Sequence, residues 1–130
     1  MTRDYETVPR ARTAVVDDDP DVLDSMKFLL KAAGYDVHAY PTADSFLADE
    51  AARPDCLIVD QHMPRMTGLE LAAHLREAGA GIPMLLVTGS PSPAIVARAA
   101  SLGITAVLGK PAEPEALLNF VAAHRRRRTP

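Results

Sequence analysis

Cys56-Leu57-Ile58-Val59-Asp60-Gln61-His62-Met63-Pro64 is an apolar run that stops abruptly at an acid and gives way to a proline-containing loop. Four apolar residues in a row, with no polar alternation, suit a strand buried on both faces, as in parallel sheets covered by helices. Beyond the loop, Thr67-Gly68-Leu69-Glu70 has the spacing of a capping box and opens a helix through Leu71, His74 and Leu75. Pro83-Met84-Leu85-Leu86-Val87 then repeats the apolar run and ends in Thr88-Gly89. Strand, helix and strand in this order make a βαβ unit, which implies a parallel pair.

The alternation continues in both directions. Upstream, Thr13-Ala14-Val15-Val16 reads as a first strand. Asp19 and Pro20 are suited to cap and begin a helix that carries Val22, Met26, Leu29 and Ala33 and ends at Gly34. Tyr35 to Tyr40 alternates as an edge strand does, and Thr42 caps a helix bearing Phe46 and Leu47 that cannot continue past Pro54. Downstream, Ser92-Pro93 start a fourth helix through Ile95, Val96, Ala99 and Leu102, closed by Gly103. Ile104 to Leu108 reads as a fifth strand, followed by Gly109-Lys110-Pro111, and Pro114 begins a last helix with Leu117, Leu118 and Val121 on one face. The predicted fold is α/β: a doubly wound, five-stranded parallel sheet with helices on both faces. Residues 13–124 form that domain, with 1–12 as an N-terminal arm and 125–130 as a basic C-terminal tail.

Bulk properties narrow the function. A chain of 130 residues has room for one core. The net charge of -3 gives no general attraction to nucleic acid or anionic membrane, and the single cysteine, Cys56, sits in an apolar run as a small buried residue. It forms no internal disulfide, and no run approaches the roughly 20 apolar residues of a membrane span. The first residues, Met1 to Glu6, carry charge with no apolar stretch behind it, unlike a secretion signal. A cytoplasmic protein is expected. Arg125 to Arg128 would complement the dipole of the last helix or form a solvated tail; no helix-turn-helix pattern accompanies them, and direct nucleic-acid binding is not expected.

In open α/β sheets, sites form beyond the carboxyl ends of the strands. The first strand ends in Asp17-Asp18-Asp19, the third in Asp60, the fourth in Thr88 and the fifth in Lys110. Asp19 reads as the helix cap; the other acids converge. Clustered carboxylates raise one another's pKa unless a cation intervenes, and oxygen-only ligands select a hard cation, Mg²⁺. Thr88 adds a hydroxyl donor and Lys110 a second positive centre, which suits a phosphoryl group. Neither GxGxxG nor GxxxxGK[ST] occurs, so the phosphoryl group is expected on the protein itself, with Asp60 as the nucleophile that forms an acyl phosphate.

Five stretches, Val15-Val16-Asp17-Asp18-Asp19, Asp60-Gln61-His62-Met63-Pro64, Met66-Thr67-Gly68-Leu69-Glu70, Val87-Thr88-Gly89 and Lys110-Pro111, stand in the order and spacing of a known family. The sequence resembles the receiver domains of bacterial two-component response regulators, with a chemotaxis-regulator-like (βα)5 fold, over roughly residues 13 to 124. The resemblance implies Asp60 as phosphoacceptor, Asp18 as direct Mg²⁺ ligand, Asp17 holding metal-bound water and the His62 backbone carbonyl completing the metal site. Thr88 and Lys110 would contact phosphoryl oxygens. The implied partner is a sensor histidine kinase or phosphotransfer protein, with a downstream protein or a homodimer as output; no membrane is involved. Such a protein is a phosphoacceptor regulator rather than an enzyme, catalysing only its own phosphotransfer and slow dephosphorylation.

Three positions differ from the common pattern of that family. Val107 stands where Tyr or Phe is frequent, Ala112 follows Lys110-Pro111 where Phe is frequent, and Ser90-Pro91-Ser92-Pro93 stiffens the loop before the fourth helix. Together they predict output by a modified route, with less packing near the output face. The His62 side chain either overhangs the phosphate and tunes hydrolysis or is simply solvated, while His38 and His74 fall far from the rim. Two other functions compete. A haloacid dehalogenase-like phosphatase would need a second Asp two places after the nucleophile, where His62 stands, and a cap domain; a pseudo-receiver would keep the fold as an interaction module without chemistry.

Overall fold

The computed structural model describes residues 11–124. Strands and helices alternate without exception: β1 (Arg12–Val16), α1 (Pro20–Ala32), β2 (Asp36–Tyr40), α2 (Ala43–Ala48), β3 (Cys56–Asp60), α3 (Gly68–Glu77), β4 (Met84–Thr88), α4 (Pro93–Ser101), β5 (Ala106–Gly109) and α5 (Pro114–His124). All pairings are parallel, and the strand order is β2-β1-β3-β4-β5. The doubly wound sheet expected from the sequence is present, with β2 at one edge.

Alternate residues of each strand feed two separate cores. Ala14, Val16, Leu57, Val59 and Leu86 pack with Phe46, Leu71, Leu75 and Ala99, so α2, α3 and α4 cover one face. Val15, Val37, Ile58, Leu85 and Val87 pack with Met26, Leu30, Leu117, Phe120 and Val121, so α1 and α5 cover the other. β3 and β4 are buried along their whole length. A strand covered on both sides has no solvent face on which polar residues would be tolerated, which is why its sequence is apolar throughout.

The helix starts follow the local chemistry. Asp19 caps α1, its Oδ1 accepting the backbone N–H of Asp21 at 2.9 Å and of Val22 at 3.4 Å. At α3 the capping box closes in both directions: Thr67 Oγ1 accepts the Glu70 N–H at 3.1 Å, and Glu70 Oε1 accepts the Thr67 N–H at 2.9 Å. Removing one side of this exchange orphans a helix donor. Thr67→Ala is therefore expected to lower stability by about 1 kcal/mol, read as a shift of the urea midpoint without a change in slope.

Most strand bounds shift from expectation by about one residue, and the shifts at β1 and β5 have a visible cause. β1 begins at Arg12, and Ala11 is already fully buried, its carbonyl accepting the Asp36 N–H at 3.1 Å. At the other end, β5 starts at Ala106 rather than Ile104 and is only half-buried. The turn after α4 consumes the two missing residues. Gly103 takes a φ of +71°, Ile104 N–H closes back onto Ala99 at 2.9 Å, and Thr105 N–H reaches Met84 at 2.9 Å to begin the approach to β4. Ile104 is still buried, but as the plug of that turn rather than as a strand residue. The basic run Arg125 to Arg128 lies outside the described residues.

Candidate functional site

Between β1 and β3 the winding reverses: the chain leaves β1 toward β2 on one side and leaves β3 toward β4 on the other. The loops diverge there and open a crevice at the carboxyl ends of the two strands. β1 places Asp17 and Asp18 in this crevice and β3 places Asp60. One ligand oxygen from each of the three lies within 4.8 Å of the others, and Asp17 and Asp60 are 1% and 3% exposed. Asp18 is exposed at the mouth. Asp19 is not part of the cluster, consistent with its capping role. Among the described residues no other group of three or more such side chains comes together.

Lys110, following β5, completes the rim. Its Nζ lies 3.1 Å from Asp17 Oδ2 and 3.3 Å from Asp60 Oδ1, bridging both buried carboxylates. Apart from this ammonium, neither of the two oxygens has a hydrogen-bond partner among the described residues. The other Asp17 oxygen accepts the Asp19 N–H at 2.9 Å, and the His62 backbone N–H donates to Asp60. The Lys110–Pro111 peptide is cis.

The electrostatics follow from this crowding. Burial pushes the Asp60 carboxyl above its usual range, and the Asp17 charge pushes it the same way; the Lys110 ammonium and the His62 N–H oppose both. Burial alone would lower the Lys110 pKa, but its contacts with Asp17 and then Asp60 outweigh that and raise it. Two buried carboxylates share one ammonium, and exposed Asp18 adds a third carboxylate beside them. An oxygen-only donor set of three carboxylates against one ammonium carries excess negative charge, which fits a hard divalent cation.

Thr88, at the end of β4, is fully buried. Its Oγ1 accepts the Ser90 N–H at 3.1 Å and lies 3.0 Å from His62 Nε2. Although the His62 residue is exposed, its imidazole tip is within hydrogen-bond distance of a buried hydroxyl. His38 pairs with Asp36 at 3.3 Å in the middle of the edge strand, away from the rim, and His74 is in the last turn of α3. Cys56 is buried 3.7 Å from Thr13 Oγ1, and burial pushes its thiol up to about 11, which suits a core residue.

Two further residues shape the site and do not stand out in the sequence. Gln61 Oε1 accepts the Leu69 N–H at 2.8 Å, and its carbonyl accepts the Gly68 N–H at 3.2 Å. These bonds dock the start of α3 against the end of β3. Gly68 is there because nothing larger fits: a Cβ would stand 2.6 Å from Leu86 Cδ1 and 2.7 Å from the Asp60 carbonyl oxygen. The capping-box spacing located Gly68 on a helix start, but only the crossing of α3 over β3 reveals the close approach.

The departures noted in the sequence take definite places. Val107 lies opposite Leu86 and is half-buried against the α2–α4 core, with no ring at the position. Ala112 leaves a groove of about 360 Å³ on the α1–α5 side, lined by Val22, Met26, Leu29, Pro111 and Leu117. The missing bulk is therefore on the α1 flank of the site. Arg76 of α3 fastens the far end of α4, donating to the Leu102 carbonyl at 2.8 Å.

Residues 13–122 match the family described as the response regulator receiver domain. The response regulator TodT of Pseudomonas putida is 32% identical over 110 residues, covering 84% of this chain and 48% of TodT. MprA of Mycobacterium avium is 35% identical over 120 residues, covering 92% of this chain and 53% of MprA. Among solved structures, the chemotaxis protein CheY4 of Vibrio cholerae superposes with a TM-score of 0.82 at 31% identity, covering 88% of this chain and 98% of that one. The chain spans about half the length of the curated relatives it matches. The family match covers nearly the whole of the described fold, and the chain belongs to the response regulator receiver domain family of two-component signalling.

Proposed function

We propose that this chain is a phosphorylation-dependent switch that accepts a phosphoryl group on Asp60 from the phosphohistidine of a sensor histidine kinase or phosphotransfer protein. The observation that carries the reading is the lysine bridge. Lys110 Nζ holds buried Asp17 and Asp60 together, and Asp18 brings a third carboxylate within 4.8 Å of both. A structural ion pair would balance its charges; here three carboxylates face one ammonium, and the excess negative charge suits a cation and, with it, a phosphoryl group.

In the transfer, an Asp60 carboxylate oxygen attacks phosphorus, an O–P bond forms and the P–N bond to the donor imidazole breaks, leaving the imidazole with the electron pair. Lys110 and Thr88 contact the phosphoryl oxygens, and Lys110 is already in range of the nucleophile. Asp17, Asp18, Asp60 and the His62 backbone carbonyl would hold Mg²⁺, which neutralises the charge gathered as anion meets anion. Slow hydrolysis of the acyl phosphate resets the protein. It catalyses only these events on itself, and in that sense is a regulator rather than an enzyme.

The receiver unit is taken as residues 13–124, extended by Arg12, which begins the first strand, and by buried Ala11 before it. Among the described residues no helix is long and apolar enough to cross a membrane, and a cytoplasmic site of action is part of the proposal. Output passes to a downstream protein or through a homodimer.

The test is direct. Incubated with Mg²⁺ and acetyl phosphate, the wild type is expected to gain one acid-stable, base-labile phosphoryl group by intact mass, and Asp60→Asn none. No gain by correctly folded wild type would refute the acceptor role and leave an interaction module without chemistry.

A further inference from the structure

A fully buried hydroxyl has to place its proton on an acceptor, and Thr88 is 0% exposed. Its oxygen already receives the Ser90 N–H. Among the described residues the other hydrogen-bonding partner is His62 Nε2, 3.0 Å away. The hydroxyl therefore donates and the imidazole accepts, which assigns the ring proton to Nδ1. A solvated histidine favours the opposite tautomer, so the assignment is specific to this bond.

The consequence rests on Asp60 being the phosphoacceptor. Phosphoryl oxygens only accept, so Thr88 can serve them only with the proton it now donates to His62. The geometry points to His62 as a positioning residue that holds Thr88 in the unphosphorylated arrangement: the imidazole and the phosphoryl group compete for one hydroxyl proton, and phosphorylation releases the imidazole. The ring sits on an exposed loop residue two places from Asp60, so release needs no repacking of the core. With valine at 107, no ring follows Thr88 along β5. The freed His62 side chain takes over that task and carries the state of Thr88 to the surface beside the acceptor.

Two measurements test this. Imidazole ¹⁵N spectra are recorded at alkaline pH, with the tautomer as the readout. The free wild type is expected to show His62 as a single Nδ1–H tautomer, and Thr88→Val to show the averaged signal of a solvated ring. Saturation with beryllofluoride and Mg²⁺, a phosphoryl analogue, is expected to convert the wild-type signal to the averaged one. The second measurement is the equilibrium affinity for beryllofluoride. His62→Leu removes the competing acceptor and is expected to bind about 2- to 10-fold more tightly, the range of one lost hydrogen bond. His62→Gln, whose amide oxygen accepts a hydroxyl proton, is expected to return to the wild-type affinity. An averaged tautomer in the free wild type, identical signals in Thr88→Val, or His62→Leu no tighter than wild type would each overturn the proposal. Failure of the wild type to bind beryllofluoride would refute the Asp60 reading instead, and the tautomer comparison in the free protein separates the two failures.

Discussion

Lys110→Met is expected to destabilise the fold by about 2–3 kcal/mol at pH 7 and to abolish measurable phosphoryl uptake from acetyl phosphate. The first effect comes from the carboxylates left behind. Asp17 and Asp60 are 1% and 3% exposed, and Lys110 Nζ is the one cation described within 4 Å of either. Removing one partner of a buried pair costs about 3–5 kcal/mol, and the lower figure here reflects the quarter of Lys110 that water reaches. The pH dependence has a definite sign. The Lys110 pKa is raised, so its contribution is complete below the ordinary lysine value and is lost only as pH rises through the raised one. The Asp60 pKa is also raised, so ionising it disfavours folding as pH climbs through its folded value, and without Lys110 that penalty grows. The gap between wild type and variant is therefore expected to be largest near neutrality. It should shrink toward acid, where the carboxylates are neutral in both proteins, and above the lysine range, where the wild type loses its ammonium as well. Urea unfolding at a series of pH values checks this. Mg²⁺ should stabilise the variant more than the wild type, since it binds the folded state and takes over part of the missing charge.

Gly68→Val is expected to cost about 3 kcal/mol and to impair phosphoryl uptake together with stability. The valine Cβ would meet Leu86 Cδ1 at 2.6 Å and the Asp60 carbonyl oxygen at 2.7 Å. Leu86 is fully buried and cannot swing its methyl aside, and the second obstacle is backbone. Relief comes only from lifting α3 off β3, which breaks the Gln61 bonds to Gly68 and Leu69 and moves the main chain of the nucleophile. Gly81 has no atom within 4 Å of a built Cβ, so Gly81→Ala should change stability by no more than about 0.5 kcal/mol. Chemical denaturation of both variants, with intact mass after acetyl phosphate, distinguishes a local clash from a general intolerance of glycine replacement. A Gly68→Val protein as stable as wild type would mean that α3 does not approach β3 as described.

How far the sequence could be read depended on the range of the interaction concerned. The alternation of apolar runs with helical spacings is local chemistry, and so are the caps at Asp19, Thr42, Thr67 and Ser92; all four form as their side chains dictate. The rim was legible because one topological rule sends every strand's carboxyl end to the same side, so Asp17, Asp18, Asp60, Thr88 and Lys110 could be gathered without knowing any distance. What escaped depends on how elements cross. Ile104 is as apolar as any strand residue, and only the closure of α4 by Gly103 shows that it plugs a turn. The His62 ring has no sequence feature that ties it to Thr88, 26 residues away. The side on which Ala112 leaves space is set by the packing of α1 against α5, which no local pattern encodes.

The pairing of β1 with β3 also has a kinetic consequence. β1 and β3 pair across some 43 residues, as between Thr13 and Cys56, and until that loop closes Asp17 and Asp60 are strangers in the chain. Parallel strands gain nothing from a hairpin, so their association has to overcome the entropy of a long loop before any contact repays it. No fragment ending before Asp60 can contain the pocket, and none ending before Lys110 can neutralise it. Competence to accept phosphate is in this sense a late property of the chain, available only to molecules that have finished folding.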